Sequence, residues 1–301
     1  MALGVTAGDV REAMESPGRH PLSLRERDFS RFPWREHLRG WGRLIAGLPR
    51  ALIGAGSRSR WERVQYLART QLPPGMFSNT GLQDLMARLG RHTRRGDGFG
   101  DLLVPLAVTA TALDTGERTV FGPGGDEAIG VSLAVRASAA IPGYFSPVRV
   151  DGRDYIDGQI VDPIHLDLGA VPGARCILAV TPLSPYVRGG ETGTDSRVTD
   201  LGAQGVFEQS ARVSAEIKLR ASRERMQRDH PDVPCFFIEP RPAEVLQLMR
   251  AGFGKRDVRR AWELGYTAAT RMLTTHARDL EPLLEPACIR IRPDAASGRA
   301  R

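Results

Sequence analysis

Leu102-Leu103-Val104-Pro105-Leu106-Ala107-Val108-Thr109 is followed, across Asp114-Thr115-Gly116-Glu117, by Thr119-Val120-Phe121. A run that is apolar at both odd and even positions suits a strand buried on both faces, and the Asp-Thr-Gly-Glu turn leads it into a second, short strand. Downstream the same punctuation repeats. Residues 132–140 read as a short helix rich in small side chains, closed by Ile141-Pro142-Gly143. Residues 148–150, the Asp151-Gly152-Arg153 turn and Tyr155-Ile156 read as a hairpin. Residues 176–181 and 235–238 are further strands, and helical periodicity covers 203–229, 243–250 and 257–276. Strands alternating with helices predict an α/β layered domain.

Upstream of this core the pattern is helical. Thr6 is placed to cap a helix with Asp9 and Glu12 in its first turns, with residues 3–14 spanning the end of one helix and the start of another. Trp34, Leu38, Trp41, Leu44, Ile45 and Leu48 recur at helical spacing until Pro49, where the pattern is expected to stop. Arg35, Arg39 and Arg43 form the opposite stripe. Two readings of this helix stand side by side: an amphipathic cover for the domain core, or a helix lying in a membrane interface on its two Trp. Residues 54–60 read as a loop, 62–70 and 80–89 as helices, 94–100 as a Gly-rich break and 286–301 as a flexible tail.

The chain has 301 residues, 41% of them hydrophobic and 26% charged, which describes an ordinary folded globular protein and excludes disorder or collagen-like repeats. No apolar run reaches the roughly 18 residues of a membrane span. The 42 Lys+Arg and 35 Asp+Glu leave a net charge of +7. Its distribution says more than its size: residues 1–100 carry +8, 101–200 carry −6 and 201–301 carry +5. Lys occurs only at Lys218 and Lys255. An Arg skew of this kind does not point to nucleic acid, and an anionic lipid surface suits the basic flanks better. Cys176, Cys235 and Cys288 have no CxxC spacing, so neither a disulfide framework nor a zinc site is expected. The six His are scattered, with no HExxH and no metal site; His165 reads as a satisfied structural side chain. The expected location is cytoplasmic with peripheral membrane association; the N-terminus lacks a signal-peptide pattern, which does not decide targeting where the true N-terminus lies upstream.

No Gly-x-Ser-x-Gly nucleophile elbow occurs in the 301 residues. Gly130-Val131-Ser132-Leu133-Ala134 comes nearest, and Ser132 there is expected to be the N-cap of the following helix. The loop Gly122-Pro123-Gly124-Gly125 fails the GxGxxG pattern at Glu127. In the acidic middle, Asp157 stands beside Gly158 at the end of a short strand, a position that on the residues alone also reads as a turn cap, like Asp151 and Asp154. The glycine lets that carboxylate approach another loop without side-chain clearance.

Three ordered blocks, 106–116 (Leu-Ala-Val-Thr-Ala-Thr-Ala-Leu-Asp-Thr-Gly), 135–145 (Val-Arg-Ala-Ser-Ala-Ala-Ile-Pro-Gly-Tyr-Phe) and 155–159 (Tyr-Ile-Asp-Gly-Gln), resemble the patatin-like phospholipase family. Leu72-Pro73-Pro74-Gly75-Met76-Phe77 and the helix around Gly265-Tyr266 also fit, so the resemblance covers most of residues 1–285. It implies a three-layer α/β/α domain with a mainly parallel central sheet. It also implies hydrolysis of lipid acyl esters by a Ser–Asp dyad, with Asp accepting the serine proton without a His, and no metal or organic cofactor. The motif match puts that Asp at Asp157, in a Asp157-Gly158-Gln159 motif whose third residue departs from the family's small one. Ser138 and Pro142 fall in the small-residue segment packed near the site. In the resemblance, residues 1–6 correspond to the tail of the nucleophile-bearing helix, so the first strand and the nucleophile elbow are expected to lie before them. A catalytically inactive lipid-surface or partner-binding module is the competing expectation.

Overall fold

The computed structural model describes residues 2–15, 23, 28, 31–53, 59–71, 73–189, 196–251 and 255–291. The chain divides after Gly158 into two units, each with its own hydrophobic clusters. The first carries α1 (Ala7–Glu15), α2 (Trp34–Ile53), α3 (Arg60–Gln71), β1 (Gly75–Phe77), α4 (Thr80–Thr93), β2 (Val108–Ala112), β3 (Arg118–Phe121), α5 (Val131–Ser138), β4 (Gly143–Phe145), β5 (Val148–Val150) and β6 (Arg153–Asp157). The second carries β7 (Ile177–Val180), α6 (Gly202–Asp229), β8 (Cys235–Ile238), α7 (Pro242–Arg250), α8 (Lys255–Thr275) and α9 (Ala277–Leu284). The fold is α/β, with parallel strands among its ladders.

In the first unit β3-β2-β6-β5 form one antiparallel sheet, while β1 pairs in parallel with β4. The antiparallel pairs follow from their connections: Asp151 and Gly152, both at positive φ, make the two-residue turn that joins β5 to β6. The helix α5 lies on this sheet through Val131, Ala134 and Ala137, against Val108, Ala110, Phe121, Val148 and Tyr155. Alanines on the packed face let helix and sheet approach closely, and Phe121 and Tyr155 meet edge to face with ring centroids 5.5 Å apart. In the second unit β7 and β8 pair in parallel, Ile177 opposite Cys235. Leu166, Ala179 and Met226 form one cluster there, Phe236, Met272 and Leu280 another.

The capping readings have direct counterparts. Thr6 and Asp9 exchange bonds, the Asp9 amide donating to Thr6 Oγ1 (3.1 Å) and the Thr6 amide to Asp9 Oδ2 (2.8 Å). Ser59 and Glu62 do the same at the start of α3.

Four local expectations need correction. Residues 2–4 form turns rather than the end of a helix. The strand expected from Leu102 begins only at Val108, because Pro105 has no amide to give a ladder and fixes its own φ; Leu103 and Val104 are exposed. The helix expected to stop before Pro49 runs on to Ile53. Proline inside a helix costs about 3 kcal/mol. Here α2 is held past it by α3: Ala51 is buried, and Arg63 Nε donates to the Ala51 carbonyl at 2.8 Å. Finally, the cap of α5 is Gly130, not Ser132. Most of the expected 54–60 loop, at 54–58, and the end of the expected tail, at 292–301, lie outside the described residues.

Candidate functional site

Asp157 is the last residue of β6 and only 8% exposed. It stands opposite Ala110 on β2, its carbonyl accepts the Thr111 hydroxyl at 2.9 Å, and its amide donates to the Ala140 carbonyl at 3.1 Å. Its backbone is therefore fixed by both the neighbouring strand and the segment that leaves α5. A 3-10 turn at Gly158–Ile160 follows at once, so the strand ends where the carboxylate is presented.

Gly158 is buried against β2. A Cβ at this position would lie 2.4 Å from the Thr109 carbonyl oxygen and 2.5 Å from Thr109 Oγ1. Close backbone approach, rather than an unusual φ, is what demands glycine here. Gln159, the third residue of the motif, is exposed.

Ser138 ends α5 and Pro142 lies in the turn before β4; both are half-buried. Between them the wholly buried Ala140 accepts the Asp157 amide, and the Ile141 carbonyl closes the turn by accepting from the Tyr144 (3.1 Å) and Phe145 (2.8 Å) amides. The small residues of 138–142 thus bring this backbone against the end of β6.

Ser132 makes a hydrogen bond that its sequence context did not reveal. Its hydroxyl donates to Asp97 Oδ2 at 2.7 Å and its amide to Asp97 Oδ1 at 2.8 Å, while the Val131 amide donates to the Asp97 carbonyl at 2.7 Å. A serine against a carboxylate has the look of a nucleophile with its base, yet Ser132 is buried and both groups close the first turn of α5. The aspartate supplies the acceptors that free helical amides lack, at the positive end of the helix dipole. Asp97→Ala is expected to cost about 1–2 kcal/mol, read as a lower denaturant midpoint. The only sequence signal was an aspartate between two glycines in the 94–100 break.

A second network sits a few residues after Asp157, in the other unit. Asp162 Oδ1 accepts the amides of Ile164 and His165, both at 3.0 Å, and Oδ2 accepts from Ser222 Oγ and Arg225 Nη2, both at 3.1 Å. The turn this closes holds His165 at φ 48, ψ 52, a left-handed conformation uncommon for a residue with a Cβ. Burial by itself pushes the Asp162 carboxyl up, but the Ile164 and His165 amides, the Ser222 hydroxyl and the nearby His165 together hold it below its usual 3.8. A folded value below the unfolded one stabilises the fold above about pH 3.8, and that contribution fades as pH falls through the lowered value. Urea midpoints measured from pH 6 downward are expected to fall less steeply in Asp162→Asn than in the parent. An equal acid slope would remove Asp162 from the account. The Asp-Pro pair at 162–163 signals a turn in the sequence, but its partners sixty residues away were not foreseeable.

Burial also pushes the Cys235 thiol up, with Arg223 opposing and Cys176 adding to it. Cys176 and Cys235 are half-buried, Cys288 is exposed, and all three are free thiols. Among the described residues no group of three His, Cys, Asp or Glu could hold a metal ion, and no helix is long and apolar enough to cross a membrane.

Trp34, Trp41, Arg35, Arg39 and Arg43 lie together on α2, all exposed, in the same unit as Asp157.

Comparison with known proteins bears on residues 8–168, which match the sequence model of the Patatin family, described as patatin-like phospholipase. Over 80 residues the chain is 39% identical to proteins of Mycobacterium bovis and of two Mycobacterium tuberculosis strains, each named an uncharacterized NTE family protein. That segment is 27% of this chain and 21% of each relative, so the match spans about a fifth of the relatives' length.

Proposed function

This chain belongs to the patatin-like phospholipase family, and from that membership we propose that it serves the hydrolysis of lipid acyl esters, with Asp157 as the general base of a Ser–Asp dyad. The serine hydroxyl would attack the ester carbonyl as Asp157 takes its proton, and the same carboxylate would then activate water to release the acyl group. The single observation that carries this reading is the setting of Asp157: a buried carboxylate at a strand end, backbone-fixed by Thr111 and Ala140, followed by a glycine that Thr109 leaves no room to replace.

The absence of Gly-x-Ser-x-Gly from the 301 residues supports a second reading, a catalytically inactive module that binds a lipid surface or a partner. Both readings predict that these 301 residues alone hydrolyse short-chain esters no faster than buffer. Turnover that vanishes in Asp157→Ala and persists in Ser132→Ala/Ser138→Ala would overturn that expectation and demand another nucleophile. Reading the coding DNA upstream of Met1 separates the two. In-frame codons for GxGxxG and then GxSxG support the hydrolase, and Asp157→Asn in the protein they encode is expected to lower turnover about 10²–10⁴-fold. A stop codon or unrelated sequence supports the inactive module.

A further inference from the structure

The helix α2 buries the wrong face for an ordinary amphipathic cover. Its contact stripe against α3 and the following loop is made of small residues: a Cβ at Gly40 would come 2.7 Å from the Gln71 carbonyl, one at Gly47 would come 2.7 Å from Leu67 Cδ1, and Ala51 is buried. The helix's largest apolar side chains form a separate stripe, spaced by four, three, four and seven residues at Trp34, Leu38, Trp41, Ile45 and Leu52. They are 55%, 62%, 49%, 64% and 49% exposed. Scattered single exposed hydrophobics are normal, but a continuous five-residue stripe with two Trp is not.

The charges on the polar face away from that stripe are nearly all of one sign. Arg35, Arg39, Arg43 and Arg50 are all exposed, and Glu36 is the only acidic residue in the helix. Among the described residues none of these four Arg enters an ion pair, and Arg35 instead stacks its guanidinium over the Trp34 ring, 5.2 Å from the centroid. An apolar face bearing Trp, with Arg on the polar face of the same helix, matches the layering of a bilayer surface. Indole rings sit at the headgroup level, aliphatic side chains reach the acyl boundary, and guanidinium groups meet anionic headgroups.

We propose that the Trp34-Leu38-Trp41-Ile45-Leu52 stripe of α2, with Arg35, Arg39, Arg43 and Arg50 on the helix's polar face, docks the protein onto an anionic lipid bilayer surface. The docking does not depend on the hydrolytic reading of Asp157, and its test involves no turnover. The occupant is a membrane rather than another protein because the helix pairs the apolar width of the stripe with a run of Arg that, among the described residues, enters no ion pair.

The test is flotation of the full 301-residue chain with vesicles of phosphatidylcholine alone or with one third phosphatidylglycerol, at low and at high salt. Binding is expected to be at least about tenfold tighter to the anionic vesicles, to weaken with salt, and to shift Trp emission to the blue. Leu38→Asp/Ile45→Asp, at two exposed positions that packing does not use, is expected to weaken binding at least about tenfold with an unchanged circular dichroism spectrum. Arg35→Gln/Arg39→Gln/Arg43→Gln is expected to abolish the preference for anionic vesicles while leaving the fold intact, and carries the test if the double Asp variant does not fold. Absent binding, equal binding to both vesicle types, or binding indifferent to both variants would overturn the proposal. So would a Leu38→Asp/Ile45→Asp variant that changes only the sedimentation coefficient, which would make the stripe a contact between copies of the chain.

Discussion

Arg88→Ala is expected to cost the first unit about 3–5 kcal/mol, more than any other single change considered. Arg88, on α4, reaches Asp28 with both terminal nitrogens, Nη1 to Oδ1 at 3.3 Å and Nη2 to Oδ2 at 2.7 Å. The Asp28 side chain is 0% exposed and that of Arg88 17%. Removing the guanidinium takes both of these charge-assisted bonds from a buried carboxylate, and the penalty is the desolvation of that charge that they no longer offset rather than the worth of the pair itself. The distinction is measurable. Asp28→Leu/Arg88→Met removes both charges and keeps the volume, and is expected to lie within about 1–2 kcal/mol of the parent in denaturant unfolding. A double variant as damaged as Arg88→Ala would show instead that the pair is itself a large net source of stability.

Gly158→Ala is the second large effect, expected at about 3 kcal/mol. The added methyl would have to displace the Thr109 carbonyl and hydroxyl, which lie 2.4 and 2.5 Å from where it must go. The carbonyl belongs to a strand that is hydrogen-bonded on both sides, between β3 and β6, so it cannot swing aside as a side chain would. Relief can come only by moving the start of the 3-10 turn, and with it the Thr111 and Ala140 bonds that hold the Asp157 backbone. The denaturant midpoint should therefore fall, and amide exchange at Asp157 and at the β2/β6 pairing should quicken. A midpoint within 0.5 kcal/mol of the parent, taken as about the noise of a surface change, would show that the turn has room the geometry denies it.

Much of this was legible beforehand for a local reason. Helix and strand periods, a Thr-x-x-Asp box and the Asp151-Gly152 turn act over a few residues, so the hairpin, α4, α6, β8, α7 and α8 were all anticipated within a few residues at each end. Asp157 was singled out by its match to the family's Asp-Gly motif, since Asp97 and Asp151 are carboxylates followed by glycine too. Where local reading failed, a distant partner had overruled a local rule: α3 carried α2 through Pro49, and Asp97 took over the capping of α5 that Ser132 had been expected to provide.

The sequence by itself determined which residues share a face, because spacing along a helix or strand is set by backbone geometry alone. It also determined the α/β class and the family, through the order of three short blocks. Only the tertiary structure decided which face is covered. Periodicity marks the Trp stripe of α2 as its apolar side. The close approach of α3 required Gly40, Gly47 and Ala51 on the contact and left the indoles outside. Likewise, only the fold brought Thr109 against Gly158, and Ser222 and Arg225 onto Asp162, from positions dozens of residues apart, because packing is settled between elements and no local pattern records the partner.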